Sequence, residues 1–238
     1  MPRLKQIMKW VAVLREREGS TSRRGRLPVT PNILRRMRAL WLPGSKEEGY
    51  SHVMLWAVSC VTFFTFSHSG EMTVPEGTRF DPRVHLDVQD ISVDREGQPR
   101  VVSIRLKKSK TDQEGRGATL IFGRTGNELC PVSVLIQYIK LRGTKPGPLF
   151  QWKDGTPLSC TRFVGEVQKV LLEAGLPARR FTGHSFRIWA STTAATLGVE
   201  DSTIQTLGRW KSSAFLSYIR LGTGQLASMS KVLAQGDM

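Results

Sequence analysis

Apolar positions recur at helical spacing along most of this chain and change to alternation in one short stretch. Leu4 to Arg17 repeats Leu4, Met8 and Val11 and reads as a helix. Thr30-Pro31 opens a stronger one, with Thr30 as N-cap, Pro31 at the first position and a stripe of Ile33, Leu34, Met37, Leu40 and Trp41. Residues 47–66 form a longer helix, apolar on most faces from Val53 onward and therefore central, with Gly70 as candidate C-cap in the segment that follows. The period then becomes two. Val84–Val93, Val101–Lys107 and Ala118–Phe122 read as three strands joined by turns at 94–99 and 111–117. Helices resume at Pro131–Arg142, Thr161–Ala174 and Arg180–Leu197, the last stopped by Gly198. Short helices are expected at Asp201–Leu207 and Ser213–Arg220, with an amphipathic piece at Gln225–Ala234. The sum is an α+β, predominantly helical fold with a small three-stranded antiparallel sheet.

Composition narrows the function. The chain has 238 residues and a net charge of +15, and residues 1–46 hold 12 Lys/Arg against Glu16 and Glu18 alone. Such a balance favours a polyanionic partner. The run Ser20–Arg26 reads as a basic linker able to lie along phosphates, or equally as a solvated tail or localisation signal. Three widely spaced cysteines (Cys60, Cys130, Cys160) form no CxxC pair and favour a reducing compartment. The most apolar run, Val53–Phe66, falls short of the roughly 20 residues that span a bilayer, so no membrane partner is expected.

Three groups of residues could carry chemistry. His184 and Arg187, at i and i+3, share a helix face behind Gly183. A guanidinium beside an imidazole there offers a bidentate clamp and a proton carrier to a phosphoryl group. The bland alternative is a capping histidine with a surface arginine. Tyr218 could be a nucleophile if cations favour its phenolate, whose reference pKa is about 10, or simply a packing residue. Lys107, Lys108 and Lys110 precede a glycine-rich turn and could reach a leaving oxygen or stay solvated. Asp81, Asp87, Asp90 and Asp94 would suit a metal-dependent nuclease, but no distant acid of matching context accompanies them.

Read in order, Lys110, His184, Arg187 and Tyr218 resemble the active-site series of the tyrosine recombinase (phage-integrase-like) family. The resemblance extends to Arg26–Leu34, Phe63–Glu71, Ser109–Asp112, Thr182–Arg187 and Leu207–Ala214, across about residues 27–222. The wording of these motifs is most similar to recombinases of DIRS/Ngaro-type eukaryotic retroelements, which implies a nuclear location. The resemblance implies DNA strand cleavage and rejoining through a 3′-phosphotyrosyl link, with neither metal nor other cofactor. Tyr218 would be the nucleophile, Arg187 the phosphate clamp, Lys110 the proton donor to the leaving oxygen and His184 its assistant. The next family position falls at Arg209 by spacing, nine residues before Tyr218, or at Trp210 by residue type, which is preferred. Double-stranded DNA would be held by Arg23, Arg24, Arg26, Arg35, Arg36, Lys107, Lys108, Arg209 and Lys211.

Two departures stand out. His68 occupies the place of the family's first arginine, in Phe66-Ser67-His68-Ser69-Gly70-Glu71. A histidine is mostly neutral at pH 7 and cannot fork two donors onto a phosphate. The second departure is that residues 1–26 hold only a remnant helix and basic linker of the family's DNA-gripping helical domain, leaving 27–238 as the catalytic domain. The Gln225–Ala234 segment is expected to dock on a neighbouring protomer or on its own domain. A DNA-binding module that has lost its chemistry is the alternative function.

Overall fold

A computed structural model describes residues 26–43, 49–107 and 117–219. The expected helix Leu4–Arg17, the C-terminal segment Gln225–Ala234, and Arg23, Arg24, Lys108 and Lys110 lie outside the described residues.

The first helix, α1 (Pro31–Trp41), begins where the sequence puts it. The Thr30 hydroxyl accepts the Ile33 N–H at 3.2 Å, and Pro31 occupies a position whose N–H would lack a partner. Leu34, Met37 and Trp41 are buried, whereas Leu40 is 43 % exposed, so the apolar stripe is narrower than its spacing suggests. Helix α2 (Tyr50–Phe64) is the central element: every residue from Val53 to Phe63 is buried. It packs on α1, on α4 (Pro131–Arg142) and on α6 (Ser185–Thr196).

Gly70 does not cap α2. The Ser67 N–H bonds the Thr62 carbonyl and the Phe66 N–H bonds the Phe63 carbonyl, a Schellman closure whose left-handed residue is Phe66 at φ 53°. Gly70 instead lies inside a short helix, α3 (Ser69–Met72), capped by His68. A non-glycine residue in this conformation costs roughly 1–2 kcal/mol.

The sheet has the order β1 (Ile91–Val93), β2 (Val101–Leu106), β3 (Ala118–Gly123), antiparallel throughout, with Ile104 opposite both Ile91 and Leu120. Val102, Ile104, Leu106, Leu120 and Phe122 face the core, while Ile121 on the other face is 63 % exposed. The first strand is shorter than the expected Val84–Val93. The Asp87 carboxylate accepts the N–H groups of Gln89 and Gly147, and Asp90 reciprocates on the Asp87 N–H. This capping winds Val88–Asp90 into a turn of 3₁₀ helix before the strand begins.

Helix α5 (Cys160–Glu173) starts at a Ser159 cap. The helix expected from Arg180 begins only at Ser185, because the Arg180 carbonyl accepts the Leu27 N–H and the Ser185 hydroxyl accepts the Thr182 N–H. Helix α7 (Asp201–Leu207) and a 3₁₀ segment, Ser213–Ser217, follow; the latter is shorter than the expected helix to Arg220. Among the described residues, the buried ones form two clusters. The larger surrounds α2, and the smaller joins Ala194, Ala195, Ile204, Phe215, Leu216 and Ile219. Among the described residues no helix is long and apolar enough to cross a membrane.

Replacing Trp56, 2 % exposed within the larger cluster, by alanine is expected to remove about 3–5 kcal/mol of stability. Leu40→Ala should stay within about 0.5 kcal/mol. Urea denaturation of the two variants checks the contrast.

Candidate active site

Three elements bring the chemistry-bearing side chains together. Gly183 and His184 precede α6, Arg187 lies in its first turn, Trp210 follows α7, and Tyr218 ends the 3₁₀ segment. The Tyr218 hydroxyl lies 3.2 Å from His184 Nδ1, a hydrogen bond joining the phenol to an imidazole. The Arg187 guanidinium stacks over the Trp210 ring at 4.3 Å and lies 5.8 Å from the Tyr218 ring centre. Its NH2 group donates to the Gly208 carbonyl. Burial lowers the Arg187 pKa from its ordinary value, Glu71 pulls it up, Arg209 pushes it down and Tyr218 pulls it up.

His68 reaches this group from the far side. Its ring meets the His184 ring edge to face, with centroids 4.2 Å apart, and its Nδ1 accepts the Gly70 N–H at 3.1 Å. The approach depends on Gly183: a methyl group there would overlap the Ser69 hydroxyl and crowd the His68 ring at 3.1–3.2 Å. Of the sequence-selected residues, the structure thus gathers His68, His184, Arg187, Trp210 and Tyr218 in one place.

Arg209 and Glu71 form the support. Arg209 closes α7 as Phe66 closes α2: it sits at φ 57°, with its N–H on the Thr206 carbonyl and the Trp210 N–H on the Gln205 carbonyl. Its guanidinium then crosses to the other turn. NH1 donates to the Thr65 carbonyl at 3.0 Å, and NH2 donates to Ser67 Oγ at 3.1 Å and Glu71 Oε2 at 3.0 Å. Spacing alone flagged Arg209, but nothing in the sequence pairs it with Glu71, 138 positions away. Among the described residues, the buried Nε groups of Arg187 and Arg209 lack a hydrogen-bond partner.

The remaining basic residues divide. Arg35 pairs with Glu128 at 2.6 Å, and Arg36 donates to the Ala174 carbonyl at the end of α5. The Lys107 ammonium is held by Asp90 Oδ2 and the Pro82 carbonyl, both at 2.6 Å, which ties it to the sheet. Arg26 is half-buried and Lys211 exposed. The acids weighed as metal ligands have local work: Asp81 binds Arg83, Asp94 accepts the Arg100 and Val101 N–H groups, and Asp87 and Asp90 cap the turn before β1. Among the described residues no group of three or more His, Cys, Asp or Glu is placed to hold a metal.

No protein-family model matches the chain. An "Integrase/recombinase xerD homolog" of Selenomonas ruminantium is 30 % identical over 147 residues, covering 58 % of this chain and 42 % of that protein. Among solved structures, the XerH site-specific recombinase bound to palindromic difH substrate superposes with a TM-score of 0.60 at 13 % identity, covering 89 % of this chain and 53 % of that one. XerA recombinase gives 0.57 at 15 % identity over 89 % and 65 %, and the Tn1549 transposon integrase in complex with circular intermediate DNA gives 0.51 at 17 % over 86 % and 64 %. The chain therefore has the catalytic-domain fold of the tyrosine recombinases, and it spans less than two thirds of the length of each of these proteins.

Gly208 has no room for a side chain, since a methyl group would run into the Trp210 ring. Gly208→Ala should displace Trp210 from Arg187 and cost about 1–3 kcal/mol. A lowered thermal midpoint with altered tryptophan fluorescence is the expected readout.

Proposed function

We propose that this chain carries the catalytic domain of a tyrosine recombinase, which cuts and rejoins double-stranded DNA through Tyr218. One observation carries the reading: the Tyr218 hydroxyl is hydrogen-bonded to His184 while the Arg187 guanidinium lies 5.8 Å from the Tyr218 ring centre. The XerD homologue supports it in sequence, and the DNA-bound XerH and Tn1549 structures support it in fold.

In the proposed step, Tyr218 Oη attacks the scissile phosphorus as its proton passes to His184. The bond from phosphorus to the 5′-oxygen breaks, leaving a 3′-phosphotyrosyl link. The departing oxygen takes a proton from Lys110. Negative charge growing on the non-bridging oxygens is met by Arg187, which burial and its stack on Trp210 hold in place. Attack by another strand's 5′-hydroxyl reverses the sequence and restores Tyr218. His68 supplies a single donor where an arginine would supply two, so the rate is set low. Losing one preorganised donor of this kind costs roughly 10²–10³.

Finer parts of the reading rest on the motif resemblance: a DIRS/Ngaro-type retroelement origin, a nuclear location, residues 27–238 as catalytic domain preceded by a basic linker, and assembly on DNA through Gln225–Ala234. A second reading, a DNA-binding module of this fold that no longer cuts, is favoured by His68 itself, whose Nδ1 is engaged by the Gly70 N–H.

A library of nicked suicide duplexes separates the two. The natural chain should form a denaturation-resistant covalent DNA complex that vanishes with Tyr218→Phe and falls sharply with Lys110→Ala. A complex that survives Tyr218→Phe refutes the nucleophile. Complex formation by His68→Arg but not by the natural chain establishes the second reading.

A further inference from the structure

Arg209 adopts a backbone conformation that favours glycine, yet its side chain is among the most heavily engaged at the site. One guanidinium bonds Thr65 and Ser67 before His68 and Glu71 after it, and the Glu71 oxygen it holds also accepts the His68 N–H at 2.7 Å. The turn that carries histidine in place of arginine is thus gripped on both sides by an arginine from another helix end. The pair is largely enclosed, at 15 % and 13 % side-chain exposure, and both of its charges act on Arg187.

Removing Arg209 would leave Glu71 as an uncompensated, enclosed carboxylate next to the place where the phosphate must lie. Like charges in such a setting repel strongly because little solvent screens them. We propose that Arg209 is a positioning residue that supplies, from the end of α7, the cation missing at His68. It holds the His68 turn against His184 and neutralises Glu71, so the phosphate meets Arg187 in a site free of opposing charge. The inference rests on the recombinase reading above and goes beyond it, because it gives the site a second arginine by a different route from that of its relatives.

The test uses Arg209→Gly, which removes the side chain while relaxing the left-handed backbone, and that relaxation offsets part of the cost of breaking the ion pair. The rate of covalent complex formation on saturating suicide duplex should fall roughly 10²–10³-fold, well beyond any loss of affinity for the duplex, the signature of a lost transition-state contribution. Adding Glu71→Gln or His68→Arg to Arg209→Gly should recover at least part of that loss, since the first removes the opposing charge and the second returns a cation to the turn. Arg209→Lys, which keeps the charge and loses the fork, should fall between the natural chain and Arg209→Gly, and serves if the glycine variant does not fold. Arg209→Gly reacting at the natural rate overturns the proposal alone, as does failure of both second substitutions to restore any activity. A natural chain that forms no covalent complex overturns it together with the recombinase reading.

Discussion

The ion pair between Glu71 and Arg209 is the contact on which the geometry of the site depends. It joins the short helix α3, just beyond the end of α2, to the end of α7; α2 and α7 both close on a non-glycine residue with positive φ. An enclosed ion pair is favourable only when its remaining hydrogen-bonding capacity is used. Here Glu71 accepts from the His68 backbone as well as from Arg209, and Arg209 donates to two carbonyls and a serine hydroxyl besides. His68, His184 and Tyr218 then meet in sequence, each touching the next.

The glycines define the complementary constraint. Gly183 lets the His68 turn approach the start of α6, and Gly208 lets Trp210 fold back over Arg187. Neither has positive φ; each is required for space. Close contact at these two points places an aromatic ring against the guanidinium and sets the His68 and His184 rings edge to face. The site is therefore assembled by shape as much as by charge.

Much of this was legible in the residues. Thr30-Pro31 signalled α1, the unbroken apolar run signalled the buried α2, and alternation located β2 and β3, because these patterns depend only on local capping and on which face is buried. His184 and Arg187 were legible as a pair from their spacing. The errors arose where side chains compete with the local pattern. Asp87 and Asp90 turned the expected start of β1 into a 3₁₀ turn, and Ser185 with Leu27 delayed α6. Gly70 looked like a helix stop, but the closing turn fell on Phe66. Contacts between distant segments, Arg209 to Glu71 above all, leave no periodic trace and could be seen only in the fold.

The two buried clusters also divide the labour. The larger one is built on α2, whereas the smaller one takes in Phe215, Leu216 and Ile219, the residues that flank Tyr218 in the chain. A cluster that small has limited apolar area with which to resist opening, so it forms a cooperative unit of lower local stability than the main core. Tyr218 and its 3₁₀ segment can then open while α2 stays folded. Amide exchange in this protein would accordingly have two tiers, and the Tyr218 segment would belong to the faster one.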